Sequence, residues 1–267
     1  YLALLCLATI LLSCSKDEII ETGGGELTVL EYLPAPGQFI NENMNFTTME
    51  EAVKWAQQRL DAQTYVSLGS FGGYLTVKMP KTIKNRKGYD FGVIGNAFEG
   101  SSEPGIVWVS RDVNGNGKAD DPWYELKGSD NNDTERNYSV TYSRPSEAGD
   151  IPWKDNKNNS GVIKYLPQYH DQMYYPKWVT NNTYTLTGSM LENRTVKDGS
   201  IWKNLNFGWG YADNIGSDTE KNSNGDYRYN QFDLDNAIDA DGNAVELTEI
   251  HFVKIQSAIL HNADILG

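Results

Sequence analysis

Oxygen-bearing side chains alternate with small residues in one short run, and this spacing is typical of a calcium-binding loop. Within Asp112–Asp121, side-chain oxygens fall at positions 1, 3, 5 and 9, as in the first part of an EF-hand loop. Calcium takes about six to eight oxygen ligands, and a glycine after position 5 lets the next backbone carbonyl point inward. The predicted calcium ligands are Asp112, Asn114, Asn116, Lys118 through its carbonyl, Asp120 and Asp121.

This loop departs from the EF-hand pattern at its end. The position that an EF-hand gives to glutamate is Trp123, so Asp121 or a distant residue must complete the shell. A plain Asn-Gly hairpin turn is the alternative, although three aspartates so close together would repel one another without a metal. A second acidic run, Asp239–Asn243, is shorter, and we interpret it as an Asp-Gly turn.

Aromatic residues are concentrated in the irregular part of the chain between Gly128 and Asn214. Exposed rings stack on the apolar faces of sugars or of a flat cofactor, while nearby amides and carboxylates bond to polar rims. The alternative is that the rings pin long loops to the domain. We expect the segment Tyr174–Trp178 to be exposed because Pro176 interrupts strand pairing. The predicted ligand-binding residues are Trp153, Tyr174, Tyr175, Trp178, Trp209 and Tyr211.

Support for catalysis in the sequence is slight. The three histidines are far apart, and no zinc-protease, nucleophile-elbow or phosphate-loop motif occurs. A glycoside hydrolase needs two carboxyl groups whose separation only the fold can give. The acids to inspect are Glu103, Glu125, Asp90 and Asp213, and for each we expect a turn, metal or network role.

The beginning of the chain is typical of a bacterial lipoprotein. Residues 1–13 form an apolar stretch too short to span a bilayer, which predicts a signal peptide, and Cys14 then follows as the lipidated residue. A buried N-terminal strand or helix is the alternative. Residues 14–26, polar and rich in glycine, predict a tether. The acidic Lys16–Glu18 run resembles the signal that sends Bacteroidetes lipoproteins to the outer face of the outer membrane.

Composition limits the partners of the domain. The net charge is -13, with 36 acidic and 23 basic residues and no basic cluster, which disfavours nucleic acid. Both cysteines, Cys6 and Cys14, precede the predicted domain, so it contains neither a disulfide nor a thiolate metal site.

The sequence predicts one helix followed by many short strands. A capping box at Thr48–Glu51 begins a helix that runs to Asp61, and apolar residues recur along it at helical spacing. Residues 27–267 therefore predict a single mostly β domain, an antiparallel jelly-roll-like sandwich with one N-terminal helix and long irregular loops. The predicted strands are Tyr65–Leu68, Tyr74–Met79, Tyr89–Ile94, Gly105–Ser110, Trp123–Leu126, Tyr138–Tyr142, Tyr184–Thr187 and Ile250–Ile255.

Several motifs, in order from about Leu68 onward, resemble those of a known family. They include Gly95–Phe98, Ser101–Gly105, Asp112–Leu126 and Trp209–Asn214. The chain is similar to the Bacteroidetes cell-surface lipoproteins often labelled cell surface or PKD-domain-containing proteins. The resemblance implies a jelly-roll-like domain outside the cell, encoded near TonB-dependent uptake systems, including those for cobalamin. It implies no established enzymatic activity.

Together these features predict a surface-exposed outer-membrane lipoprotein that binds a nutrient, a glycan or cobalamin for uptake. The expected partners are this small-molecule or glycan ligand, a TonB-dependent transporter and, through the lipid anchor, the membrane. Calcium is the expected cofactor, in a structural role. Two alternatives stay open. A hydrolase acting on polysaccharide would need paired carboxylates at a cleft, and a structural or adhesive module would present a flat apolar patch.

Overall fold

The structure, a computed structural model, describes residues 5–11, 27–199, 201–221 and 228–260. In this part of the chain the fold is mostly β, with one α-helix near the start and antiparallel pairing between the strands. The predicted fold class, a mostly β antiparallel sandwich with one N-terminal helix and irregular connections, is confirmed.

The described residues contain seventeen strands, one α-helix and one short 3-10 helix. Most strands are short because Gly, Asn, Asp and Pro interrupt regular pairing. The bounds are β1 (Leu5–Leu11), β2 (Thr28–Leu33), α1 (Met49–Asp61), β3 (Val66–Ser67), β4 (Tyr74–Lys84), β5 (Phe91–Gly95), β6 (Gly105–Ser110), β7 (Trp123–Leu126), β8 (Glu135–Ser143), β9 (Ile151–Asp155), β10 (Ser160–Ile163), β11 (Thr183–Met190), β12 (Thr195–Asp198), β13 (Ile201–Asn204), β14 (Thr219–Lys221), β15 (Arg228–Phe232), the 3-10 helix (Leu234–Asn236), β16 (Ala237–Ile238) and β17 (Glu249–Ser257).

The predicted helix is present with the predicted capping box. The Thr48 hydroxyl accepts from the Glu51 amide at 3.2 Å, and the Glu51 carboxylate accepts from the Thr48 amide at 3.2 Å. These bonds satisfy backbone donors that the first turn leaves unpaired. Ala52, Ala56 and Leu60 are buried on one face of the helix, which attaches α1 to the core as the apolar spacing predicts.

The largest sheet in the described residues has six strands in the order β16-β7-β6-β17-β4-β2. Its centre is β17, which pairs with β4 on one side and β6 on the other. A four-stranded sheet, β10-β9-β8-β11, supplies further rings and aliphatic side chains to the same core. The hairpin β12-β13 stands apart as a two-stranded sheet.

The remaining sheet has the order β14-β15-β5-β1-β3, so the segment Leu5–Leu11 lies between β5 and β3. A strand at this place is what the alternative to a signal peptide, an N-terminal strand of the domain, would predict. The signal peptide over residues 1–13 stays a prediction. The predicted lipidation site Cys14 and the predicted tether over 14–26 lie outside the described residues.

A main hydrophobic core joins the six-, five- and four-stranded sheets to the helix. A second, smaller cluster lies beneath the connections that follow β11, with Ile106, Phe207 and Tyr211 among its members. The long irregular part of the chain is therefore packed against the sheets.

Candidate ligand-binding site

The central strand β17 has one face in the core and one face turned outward. Val253 and Ile255 are buried in the main core, and because side chains alternate along a strand, Lys254 lies on the opposite face. The register places Lys254 between Thr76 on β4 and Trp108 on β6. Residues directly opposite in paired strands share a face, so this row lies on the face of the six-stranded sheet that is turned away from the main core, where Thr76 is buried and Trp108 and Lys254 are partly exposed.

Three aromatic rings surround the Lys254 ammonium on this outer face. Its Nζ lies 4.6 Å from the ring centroid of Trp123, 5.6 Å from that of Tyr74 and 5.8 Å from that of Trp108. Cation–π contacts contribute about 0.5 to 2 kcal/mol each, depending on desolvation. All four side chains remain partly exposed. We call Tyr74, Trp108, Trp123 and Lys254 the aromatic patch.

The aromatic patch is bordered on two sides. On one side, Lys78 Nζ donates to the Gly117 carbonyl at 3.4 Å, which connects β4 to the loop Asp112–Asp121. On the other side, Trp108 packs against the second hydrophobic cluster. A ligand lying on the rings would be flanked by these two connections.

The electrostatics of the patch favour a ligand that carries hydrogen-bond acceptors. Burial lowers the pKa of Lys254, and the Glu31 carboxylate opposes that effect. Burial, followed by the charge of Glu31, raises the pKa of Tyr74 to about 12. Tyr74 is therefore a protonated donor at neutral pH. Flat apolar ring faces beside an ammonium and a hydroxyl suit the recognition of sugars or other flat polar molecules.

The expected exposure of the segment Tyr174–Trp178 is wrong. Tyr174 and Tyr175 are 0% exposed and Trp178 is 2% exposed. The Trp178 ring packs against the Phe46 ring, with centroids 4.7 Å apart. These three predicted ligand-binding residues therefore belong to the core and do not reach a surface ligand.

The side chain of Asn41, distant in sequence, helps to hold this segment against the domain. Asn41 Nδ2 donates to the carbonyls of Met173 and Tyr175 at 2.6 and 2.8 Å, and Asn41 Oδ1 accepts from the Lys177 amide at 3.0 Å. Backbone groups that Pro176 leaves out of strand pairing are thus satisfied by a side chain. The segment is buried although its strand pairing is interrupted, because Asn41 makes the backbone hydrogen bonds that a neighbouring strand would otherwise make.

The other three predicted ligand-binding residues are scattered. Tyr211 is 0% exposed, and its hydroxyl accepts from the Asp130 amide at 3.1 Å. Trp209 is half-buried in the connection that packs on the second cluster. Trp153 on β9 is the register partner of the buried Tyr142. The Trp153 ring covers Gly161. The six residues do not form one site.

A shallow groove of about 550 Å³ lies on the four-stranded sheet. Hydroxyls of β8 and β11 form its floor, with Ser139 Oγ 2.8 Å from Thr187 Oγ1 and Thr141 Oγ1 2.7 Å from Thr185 Oγ1. Trp153 also lines the groove. Because these hydroxyls already bond to one another, the groove offers a ligand fewer free hydrogen-bonding groups, and we prefer the aromatic patch as the binding site.

The loop Asp112–Asp121 is folded by its own side-chain oxygens. Asp112 Oδ2 accepts from the Gly117 amide at 2.8 Å, and Asn116 Oδ1 accepts from the Lys118 amide at 2.7 Å. Hydrogen bonds from the Asn116 and Asn114 side chains lower the pKa of Asp120. The chain thus bends around its own oxygen atoms, with Gly117 at a φ of 72°.

One oxygen of this loop lacks a partner. Asp112 Oδ1 is withdrawn from solvent and accepts no hydrogen bond from the described residues. In this part of the chain, no group of three or more His, Cys, Asp or Glu side chains is placed to hold a metal. Calcium here would therefore need amide and backbone oxygens beside the carboxylates.

The four acids of the hydrolase alternative are all buried. Asp90 accepts from the amides of Arg86 and Leu234, at 2.8 and 2.9 Å. Glu125 accepts from the Ser189 hydroxyl and pairs with Arg136. Both are network residues, as expected, and neither is placed to meet a polysaccharide.

Glu103 and Asp213 form a buried acidic pair. Asp213 Oδ1 accepts from the amides of Asn96 and Ala97 at 2.6 and 2.7 Å, and Asp213 has a φ of 54°. Burial raises the pKa of Asp213 to about 7 despite these hydrogen bonds. Burial, followed by the charge of Asp213, raises the pKa values of both Glu103 and Tyr65.

No protein-family model matches the chain, and no curated protein matches it either. The case for function rests on the surface geometry. The residues of the aromatic patch were not among those predicted from the sequence. The sequence did contain an indication of this face. Lys254 interrupts the apolar strand Ile250–Ile255, and alternation along the strand puts it on the other face from Val253 and Ile255.

Asp213 makes the stability of the domain depend on pH. Because its folded pKa is raised above 3.8, the stabilisation from proton binding is complete below that value and is lost as pH rises through about 7. A rise from 3.8 to about 7 corresponds to roughly 4 kcal/mol. We expect the free energy of unfolding of Asp213→Asn, relative to wild type, to increase by up to that amount between pH 4 and pH 8 in urea titrations.

The matched control for this experiment is Asp150→Asn. Hydrogen bonding to the Tyr165 amide lowers the pKa of Asp150 below 3.8, so the stability it contributes is already present near pH 4, and the difference between this variant and wild type should stay nearly constant from pH 4 to pH 8. A difference between Asp213→Asn and wild type that is constant from pH 4 to pH 8 would contradict the assignment.

Proposed function

We propose that this protein is a surface-exposed outer-membrane lipoprotein whose sandwich domain binds a glycan through the aromatic patch and passes it on for uptake. The observation that carries the proposal is the convergence of three partly exposed rings, from three strands, on Lys254. Nutrients of other classes and cobalamin are the further candidates. A glycan is favoured because sugar rings combine an apolar face with a polar rim, which matches the rings and donors of the patch.

Attachment to the membrane rests on the predicted signal peptide and on Cys14. Acyl chains contribute about 0.8 kcal/mol per buried CH₂, so more than one chain makes anchoring lasting. In the part of the chain that the structure describes, no helix is long and apolar enough to cross a membrane. We propose a TonB-dependent transporter as the recipient of the ligand.

A structural or adhesive module is the second candidate, and one observation favours it. Phe98, Val196, Ile201 and Leu205 are large apolar residues with 40 to 62% of their surface exposed, and three of them lie on or next to the hairpin β12-β13. Exposed apolar side chains that lie together mark protein-binding surfaces. The aromatic patch is preferred because it combines rings with a charged donor.

We also propose that the loop Asp112–Asp121 binds a structural calcium ion. The spacing of its oxygens and the unpartnered Asp112 Oδ1 support this assignment. Asp112, Asn114, Asn116, Asp120, Asp121 and the carbonyl of Lys118 would hold the ion. Calcium there would neutralise the acidic loop and fix the connection that borders the aromatic patch.

Replacement of one ring tests glycan binding. We expect Trp123→Ala to weaken the affinity for the glycan that the wild-type domain binds by about tenfold or more, since one aromatic contact contributes on the order of 1 to 2 kcal/mol. Isothermal calorimetry against a panel of neutral and acidic oligosaccharides and cobalamin measures this. Trp153→Ala, which removes a partly buried ring of the other sheet, is the matched control and should leave the affinity unchanged. Equal affinity of Trp123→Ala and wild type would reject the patch.

Chelation tests the calcium loop. Saturating calcium should raise the melting temperature of the domain, because a ligand at about 100 times its Kd stabilises the folded state by roughly 2.7 kcal/mol. Asp112→Ala should abolish this increase. Asp239→Ala changes the other acidic turn and should preserve it. An identical melt with calcium and with a chelator would refute the site.

The two cysteines provide the test of anchoring. Cys14→Ala should eliminate incorporation of labelled fatty acid into the protein in its native cells, whereas Cys6→Ala should retain it because Cys6 lies in the part that is removed. Labelling that persists in Cys14→Ala would show that the anchor was assigned to the wrong residue.

A further inference from the structure

The Lys254 ammonium carries a positive charge that no carboxylate neutralises by direct contact. None of the ion pairs among the described residues includes Lys254, although acidic residues outnumber basic ones by 36 to 23. Its contacts are with the three rings of the aromatic patch. A lysine held by rings alone keeps its attraction for an incoming anion.

The carboxylate whose charge acts on Lys254 is that of Glu31, and it accepts a hydrogen bond from another residue. Glu31 lies in the same transverse row on the edge strand β2, with Thr76 between it and Lys254. Glu31 Oε2 accepts from the Thr76 hydroxyl at 3.1 Å, and the Glu31 side chain is exposed to solvent. Its charge acts across that residue and through water, which weakens it.

A second cation faces the same side of the sheet. Lys78 and Thr76 are two residues apart on β4, so their side chains share a face. Lys78 Nζ donates only a long hydrogen bond, 3.4 Å, to the Gly117 carbonyl. The same face therefore carries a second ammonium group besides that of Lys254, on a protein whose overall charge is negative.

The partial burial of Lys254 makes an anionic partner favourable. Burial penalises its charged form and lowers its pKa. An ammonium that is partly desolvated gains more from a carboxylate than an exposed one does, because less water screens the pair. A sugar carboxylate could approach the ammonium while the pyranose ring lies on the adjacent indole.

We propose that the aromatic patch selects an acidic glycan, in which a uronic acid carboxylate pairs with Lys254 and the sugar ring stacks on Trp123. This inference rests on the proposed function and names the substrate class of that site. Lys254 is then the residue that determines specificity, whereas the rings supply affinity common to charged and neutral sugars.

The experiment compares trigalacturonic acid with its methyl ester, which has the same skeleton without charge. Calorimetry on the full chain should show the acid binding about tenfold more tightly than the ester, and added salt should reduce that ratio. Lys254→Gln should bring the ratio close to one, and Lys254→Arg should restore it. Lys154→Gln, on the other sheet, is the matched control and should leave the ratio unchanged. A thermal melt of each variant confirms folding.

The outcomes separate this inference from the function on which it rests. Equal affinity of the wild-type protein for acid and ester, or a preference that survives in folded Lys254→Gln, overturns the acidic specificity and leaves glycan binding intact. Failure of the wild-type protein to bind either probe also overturns it. Loss of the proposed function itself would appear as Trp123→Ala having no effect on any sugar of the panel.

Discussion

The register of β17 against β4 and β6 determines which side chains face the core and which face the solvent. Val253 and Ile255 point inward, so Lys254 must point outward, next to Trp108 and across from Thr76. A slip of one residue would reverse every one of these positions. The packing that secures the core therefore also builds the aromatic patch, and the site needs no loop to hold its rings in place.

The sequence predicted the helix and eight of the seventeen described strands, because periodicity is local. The capping box of α1 and the strands Gly105–Ser110 and Trp123–Leu126 have the predicted bounds. The burial of the rings in Tyr174–Trp178 was not predictable in this way. It depends on Asn41, more than 130 residues earlier in the chain, which satisfies the backbone of that segment. The contact that buries this segment is distant in sequence, so the composition of the segment alone could not show that it belongs to the core.

The candidate site was missed for a related reason. Aromatic residues in irregular segments suggested ligand contacts, but irregular segments here are packed by buried polar networks such as the one around Asp213. Rings in regular strands were not considered, although alternation places half of a strand's side chains on the face away from the core. A lysine within an apolar strand is the more useful signal, because burying its charge is costly and it therefore marks the outward face.

If the aromatic patch on the six-stranded sheet binds the ligand, the indole N–H resonances of the tryptophans report on it directly. In an NMR titration with an oligosaccharide that the domain binds, we expect the signals of Trp108 and Trp123 to shift in parallel with saturation. The signals of Trp153 and the buried Trp178 should stay where they are. Shifts at Trp153, with Trp108 and Trp123 unaffected, would instead place the ligand in the groove of the four-stranded sheet and rule out the aromatic patch.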